Sequence, residues 1–143
     1  MEPDLKRLVI HEFIHFIFAV PFALFLWKKT KSKSQIVVLF LVTFFVDLDH
    51  FVDYFAYSGF KLSILGFLSG EYFVTTHKSF TPFHAWEWLV VVGVIAKLRG
   101  WKSIFTALLF GLSPHFIVDS LVTGEFLFYS LIFRVSRGFY FPD

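Results

Sequence analysis

From Val9 to Trp27 the chain is apolar except for His11, Glu12 and His15, and the run stops at Lys28, Lys29, Lys31 and Lys33. A stretch of about 20 such residues rises far enough as a helix to cross a hydrocarbon core of about 30 Å. This run therefore predicts a bilayer-spanning helix and sets the solvent for the rest of the molecule. The composition agrees: 57% of the residues are hydrophobic, 22% aromatic and 17% charged, with a mean hydropathy of +0.70. Soluble domains carry more charge and far less aromatic surface. Lys6 and Arg7 before the run would also suit a secretory signal peptide, but the two histidines and the glutamate spoil its apolar core and no small-residue cleavage site follows.

The remaining hydropathy pattern predicts an all-α, polytopic membrane protein built as one domain over residues 1–143. About four spans are expected: Val9–Trp27, Gln35–Tyr57, His84–Leu98 and Ile104–Thr123. Ser58 to Phe83, with three glycines, Pro82 and a short apolar stretch, reads as an interfacial or re-entrant connection. Phe126 to Phe133 is too short to span and forms a short C-terminal segment.

Seven Lys or Arg fall in the two tight connections, at 28–33 and 97–102, against six spread over the longer segments of the opposite face. The positive-inside rule then places the tight loops in the cytoplasm and both termini outside a cell (inner) membrane. The small net charge of +2, with scattered basic residues, gives no reason to expect nucleic acid as a partner; membrane lipid is the expected environment. The chain has no cysteine, which excludes disulfide scaffolds and thiolate metal sites.

Depth is the most informative property of the polar residues. His11 and His15 lie near the start of the first span, and Asp47, Asp49, His50 and Asp53 near the end of the second. His77 is in the connection, His84 starts the third span, and His115 with Asp119 falls late in the fourth. Because spans alternate in direction, all six histidines and four of the six aspartates gather in one leaflet, opposite the basic loops. The i, i+4 pairs His11/His15, Asp49/Asp53 and His115/Asp119 each present two donors from one helix face. Each intramembrane carboxylate costs about 2.5–3.5 kcal/mol, so the cluster requires compensation, and a divalent cation supplies it. Imidazole with carboxylate suits zinc, with manganese or iron also compatible. Pro114, just before His115, frees the carbonyl of Phe110 within the span.

The ordered set of an early His11, Asp47-Leu48-Asp49-His50, His77-Lys78-Ser79-Phe80-Thr81 with His84, and a late His115-x-x-x-Asp119 resembles the LexA-regulated, membrane-bound metal-dependent hydrolases. That family is distantly similar to the zinc-dependent phospholipase C and single-strand nuclease superfamily. The resemblance runs from about His11 to Thr123. Its third motif usually reads His-Arg-Gly-x-Thr-His-Ser, whereas here Lys78 and Ser79 replace Arg and Gly, Pro82 stands at the second His position, and His84 follows two residues later.

The resemblance implies hydrolysis of a phosphoester, such as that of a phospholipid substrate or a lipid-linked phosphate, at a site of two or three divalent ions. On that reading His11, Asp47, Asp49, His50, His77, His115 and Asp119 bind metal, with His84 a further candidate. Asp53 is then expected to orient or deprotonate the attacking water, and Lys78 to contact the phosphate. Other classes remain to be weighed: a divalent metal-ion transporter, a bis-His haem carrier using His15 and His115, and a catalytically inert metal-binding protein. The apolar cytoplasmic halves of the spans disfavour transport, and the abundance of aspartate disfavours haem.

Overall fold

The computed structural model describes residues 5–141; residues 1–4 and 142–143, on which the expectation about the termini falls, lie outside it. Helix α1 (Leu5–Thr30) turns through Lys31 and Ser32 into α2 (Lys33–Phe45), whose first turn is capped by the Ser32 hydroxyl accepting from the Gln35 amide. A 3₁₀ turn over Val46–Asp49 leads without a break into α3 (His50–Ser58), so residues 33–58 form one rod. The tighter turn falls where Asp47 and Asp49 interrupt the apolar run, and aspartate is a poor helix former because its side chain competes for backbone groups. Gly59, at φ 61°, ends the rod in the left-handed conformation that glycine adopts at no steric cost.

Two short helices, α4 (Ile64–Leu68) and α5 (Glu71–Thr76), make up the connection. Helices α6 (Trp86–Arg99) and α7 (Ile104–Thr123) then form a second hairpin, followed by a 3₁₀ turn at Leu127–Tyr129 and α8 (Leu131–Ser136).

Three helical segments are long and apolar enough to cross a membrane: Lys6–Thr30, Lys33–Ser58 and Ile104–Thr123. The third expected span, His84–Leu98, is helix α6 apart from its first two residues. Helix α6 has 14 residues, about 21 Å of rise, and His84 lies in the loop before it. The described residues thus form an all-helical fold of the polytopic membrane class, with three helices long enough to cross a bilayer and the shorter α6 packed against α7.

Helix α7 is central, packing against α1, α2 and α6. Ala19, Ala23 and Leu26 of α1 meet Leu39 of α2 and Ala107 of α7 in the buried core. Small residues at these contacts let backbones approach, the usual basis of helix association in lipid. The closest approach is at Gly111, where a Cβ would stand 2.6 Å from the Leu39 carbonyl oxygen. Beside it, the buried Thr43 hydroxyl lies 2.9 Å from the Leu39 carbonyl and 3.1 Å from that of Gly111. The outer faces carry exposed Val9, Phe13, Leu24, Val37, Val90 and Leu98, as a lipid-facing surface requires.

Candidate metal centre

Alternating helix direction brings the start of α1, the 3₁₀ turn, the loop before α6 and the last half of α7 to one end of the bundle. His15 and His115 are fully buried, His84 is 2% exposed and Asp119 7% exposed. Their donor atoms converge in two groups that share one carboxylate.

In the first, Oδ1 of Asp119 lies 3.3 Å from Nε2 of His11 and 3.1 Å from Nε2 of His15, and the two nitrogens are 2.9 Å apart. In the second, Oδ2 of Asp119 lies 3.1 Å from Nε2 of His115 and 3.7 Å from Nε2 of His84. Oδ1 of Asp47 joins them, 3.0 Å from His84 and 3.4 Å from His115, and the two imidazole nitrogens are 3.1 Å apart. Ligands bound at about 2.0–2.1 Å in a tetrahedral site lie about 3.3 Å from one another. The separations seen here, from 2.9 to 3.7 Å, bracket that value, so the two groups could each hold an ion.

Neutral rings leave several of these contacts without a proton. Nδ1–H of His115 donates to the Thr43 carbonyl at 2.8 Å, so in the neutral ring Nε2 carries a lone pair and faces two carboxylate oxygens. A proton supplied by His84 can serve one of those contacts only. Charging both rings would place two imidazolium nitrogens 3.1 Å apart. A shared divalent cation resolves the conflict and uses every lone pair, so the donors present fit a metal. The Thr43 bond also fixes His115 in the tautomer that ligates through Nε2, the usual outer support of a metal-bound histidine.

His84 has a carboxylate beside its Nδ1, in a close contact without hydrogen-bond geometry. Its Nδ1 lies 2.9 Å from Oδ1 of Asp49, while Oδ2 of Asp49 accepts from the Phe83 amide at 2.7 Å. Asp49 thereby meets His84 from the side opposite Asp47 and His115. Nε2 of His50 approaches at 3.6 Å from Asp47 and 3.9 Å from Asp49, and Asp49, His50 and His84 form a third group whose donors face one another. Within it, Asp49 meets Nδ1 of His84, whereas the second group uses Nε2.

Other sequence-predicted residues take different positions. Both oxygens of Asp53 accept backbone N–H groups, from Phe80 at 2.6 Å and Thr81 at 2.9 Å, so Asp53 shapes a loop and does not face the donors. His77 is exposed and caps α5 in the left-handed conformation, with its backbone amide donating to Phe73 and its carbonyl accepting from Phe141. The Lys78 ammonium stands 4.5 Å over the Tyr140 ring. The geometry brings together His11, Asp47, Asp49, His50, His84, His115 and Asp119, and leaves Asp53, His77 and Lys78 outside. His15, whose i, i+4 spacing from His11 was visible in the sequence, joins the first group and stacks on His115 with ring centroids 4.1 Å apart.

Arg134 is the residue that sequence reasoning missed. It is 1% exposed, and its guanidinium donates to the carbonyls of Phe80 (2.7 Å), Thr81 (3.0 Å) and His84 (2.7 Å) and to the Thr81 hydroxyl. Burial lowers its pKa from the ordinary value, and the nearby Asp49, Asp53 and Glu87 charges act in the opposite sense. The loop at 80–84 is thus held from both sides, its amides by Asp49 and Asp53 and its carbonyls by Arg134. Pro82 fits because it has no amide to satisfy, and its carbonyl accepts from the Trp88 indole at 2.8 Å. Thr81, at φ 24°, sits in a conformation that β-branched residues avoid and that this framework imposes.

Arg134 arrives from α8. That helix is docked by Glu87, whose carboxylate accepts from the Ser130 hydroxyl and from the Leu131 and Ile132 amides at its N-terminus. The cavity beside the donors, about 210 Å³, is lined by His11, Asp47 and Asp119 together with Phe128, Tyr129 and Phe141. Burial raises the pKa of the Tyr129 phenol, which stays protonated and able to donate. No family model, curated protein or solved structure matches the chain.

Proposed function

We propose that this chain is a membrane-embedded, metal-dependent hydrolase of phosphoesters that works with two divalent ions, most simply zinc. The observation that carries the reading is the division of Asp119, with one carboxylate oxygen facing His11 and His15 and the other facing His84 and His115. A carboxylate shared between two histidine groups is suited to a two-metal site, in which paired ions supply Lewis acidity toward a phosphoryl oxygen and acidify water.

On this reading His11, His15 and Asp119 hold one ion, and Asp47, His84, His115 and Asp119 the other. The Thr43 carbonyl keeps the His115 ring oriented, and Asp49 lies against Nδ1 of His84. Ser79, Thr81, Thr123 and Tyr129 supply hydroxyls around the cavity. No Lys or Arg lines it, so a phosphoester must rely on the ions for charge neutralisation, and they have to bind first. Beyond the cluster, Ala19, Ala23, Leu39 and Ala107 close the bundle, which supports a one-sided site over a transport path.

The depth of the cavity, at the end of the spans, favours a lipid phosphoester as substrate. Protein purified in detergent should contain two divalent ions per chain and hydrolyse at least one substrate among lipid phosphomonoesters, lipid phosphodiesters and pyrophosphates. Metal-replete protein inactive across all three sets would overturn the hydrolase reading. The orientation we propose places the cavity on the extracytoplasmic side, and a reporter inserted in the 28–33 loop should read cytoplasmic. A periplasmic signal there inverts the sidedness without touching the site.

A further inference from the structure

The opposite end of the bundle carries a second cavity, of about 460 Å³, between the end of α1 and the start of α7. Lys29, Trp101, Lys102 and Thr106 surround its upper part, and Phe25 and Phe110 its lower part. Those two rings, 5.7 Å apart, also line a groove of about 280 Å³ that continues along Phe22 to Pro21. From Lys29 to Pro21 the helix rises about 12 Å, so the cations and the apolar groove follow one another along the same stretch of α1, with Phe25 and Phe110 lining both cavities.

Charge and polarity are arranged for one kind of occupant. Among the described residues no carboxylate lines either cavity. The buried Gln35 carboxamide donates to the Lys102 carbonyl and ties down the turn from which Lys102 projects. Thr106, 3% exposed, has a hydroxyl with no partner among the described residues. Trp101 is 56% exposed on the rim, where an indole ring settles among headgroups.

We infer that this cavity binds one anionic phospholipid, with its phosphate between Lys29 and Lys102 and an acyl chain along Phe25, Phe110 and Phe22. A zwitterionic lipid fits the groove equally well but brings its own cation toward the lysines. The inference does not depend on the metal centre, which lies at the other end of the spans.

Native mass spectrometry of the full chain, exchanged into defined mixtures of phosphatidylglycerol and phosphatidylcholine, tests it. One phosphatidylglycerol should be retained in preference to phosphatidylcholine. Each lysine near an anionic headgroup is worth about fivefold in binding, so Lys29→Gln with Lys102→Gln should weaken retention about 25-fold. Both side chains are exposed, and the matching pair Lys61→Gln with Arg137→Gln, at the metal-centre end, should leave retention unchanged. Equal retention of the two lipids by the wild-type protein overturns the proposal. So does undiminished phosphatidylglycerol binding in the Lys29/Lys102 variant, or displacement of the lipid by millimolar inorganic phosphate, which would make the cavity a site for free phosphate.

Discussion

Asp119→Ala should strip the purified protein of both divalent ions and reduce phosphoester hydrolysis to the background rate. The carboxylate contributes one oxygen to each histidine group, so its loss leaves His11 with His15 on one side and Asp47 with two histidines on the other. Two neutral imidazoles without an anionic partner hold a divalent ion weakly, and the remaining group keeps Asp47 but loses one of the two carboxylate charges that offset its cation. His15→Ala serves as the paired measurement. It removes a ligand from the first group only, so metal content should fall from two ions per chain to one. Elemental analysis of both variants beside wild type separates the outcomes, and two ions retained by Asp119→Ala would sink the shared-carboxylate reading.

Much of this centre is legible in the sequence because membrane burial makes polar residues conspicuous. His11, Asp47, His115 and Asp119 stand out against apolar runs, and alternating span direction is enough to put them at one end. Helical periodicity then pairs His11 with His15 and His115 with Asp119, as the structure does. Such arguments fail where backbone outside the helices decides the geometry. Nothing local in Ser79 to His84 says that His84 turns inward while His77 stays exposed, because their orientation is set by Asp49, Asp53 and Arg134 from three other segments.

Asp53 shows the limit most clearly. Its i, i+4 spacing from Asp49 suggests a shared task at the metal, and both do act on the same loop, but through amide bonds that sequence spacing cannot reveal. Helix α6 begins two residues later than expected for a related reason: His84 and Ala85 belong to the loop, and a run of mixed Trp, Glu and Val carries no marker of where the helix begins.

Arg134→Met should be the most disruptive substitution outside the ligands. It removes the donors to the Phe80, Thr81 and His84 carbonyls and takes the guanidinium charge from beside Asp49 and Asp53. Removing one partner from a buried charge network typically costs about 3–5 kcal/mol, a large part of the stability of any small domain. Thermal unfolding should register that loss, and metal affinity should fall with it, by about 10–100-fold, the usual effect of losing an outer-shell support. Arg134→Lys separates charge from geometry. An ammonium restores the cation near the two aspartates but cannot span the Thr81 and His84 carbonyls as the planar fork does, so stability should recover in part while metal affinity stays low. Asp53→Asn then tests the same framework from the amide side: its NH₂ would confront the Phe80 or Thr81 N–H, releasing the loop and lowering metal content and turnover together. Had Asp53 been the base that deprotonates water, the asparagine variant would keep its metal and lose only turnover, and that result would return the residue to the catalytic role its spacing suggests.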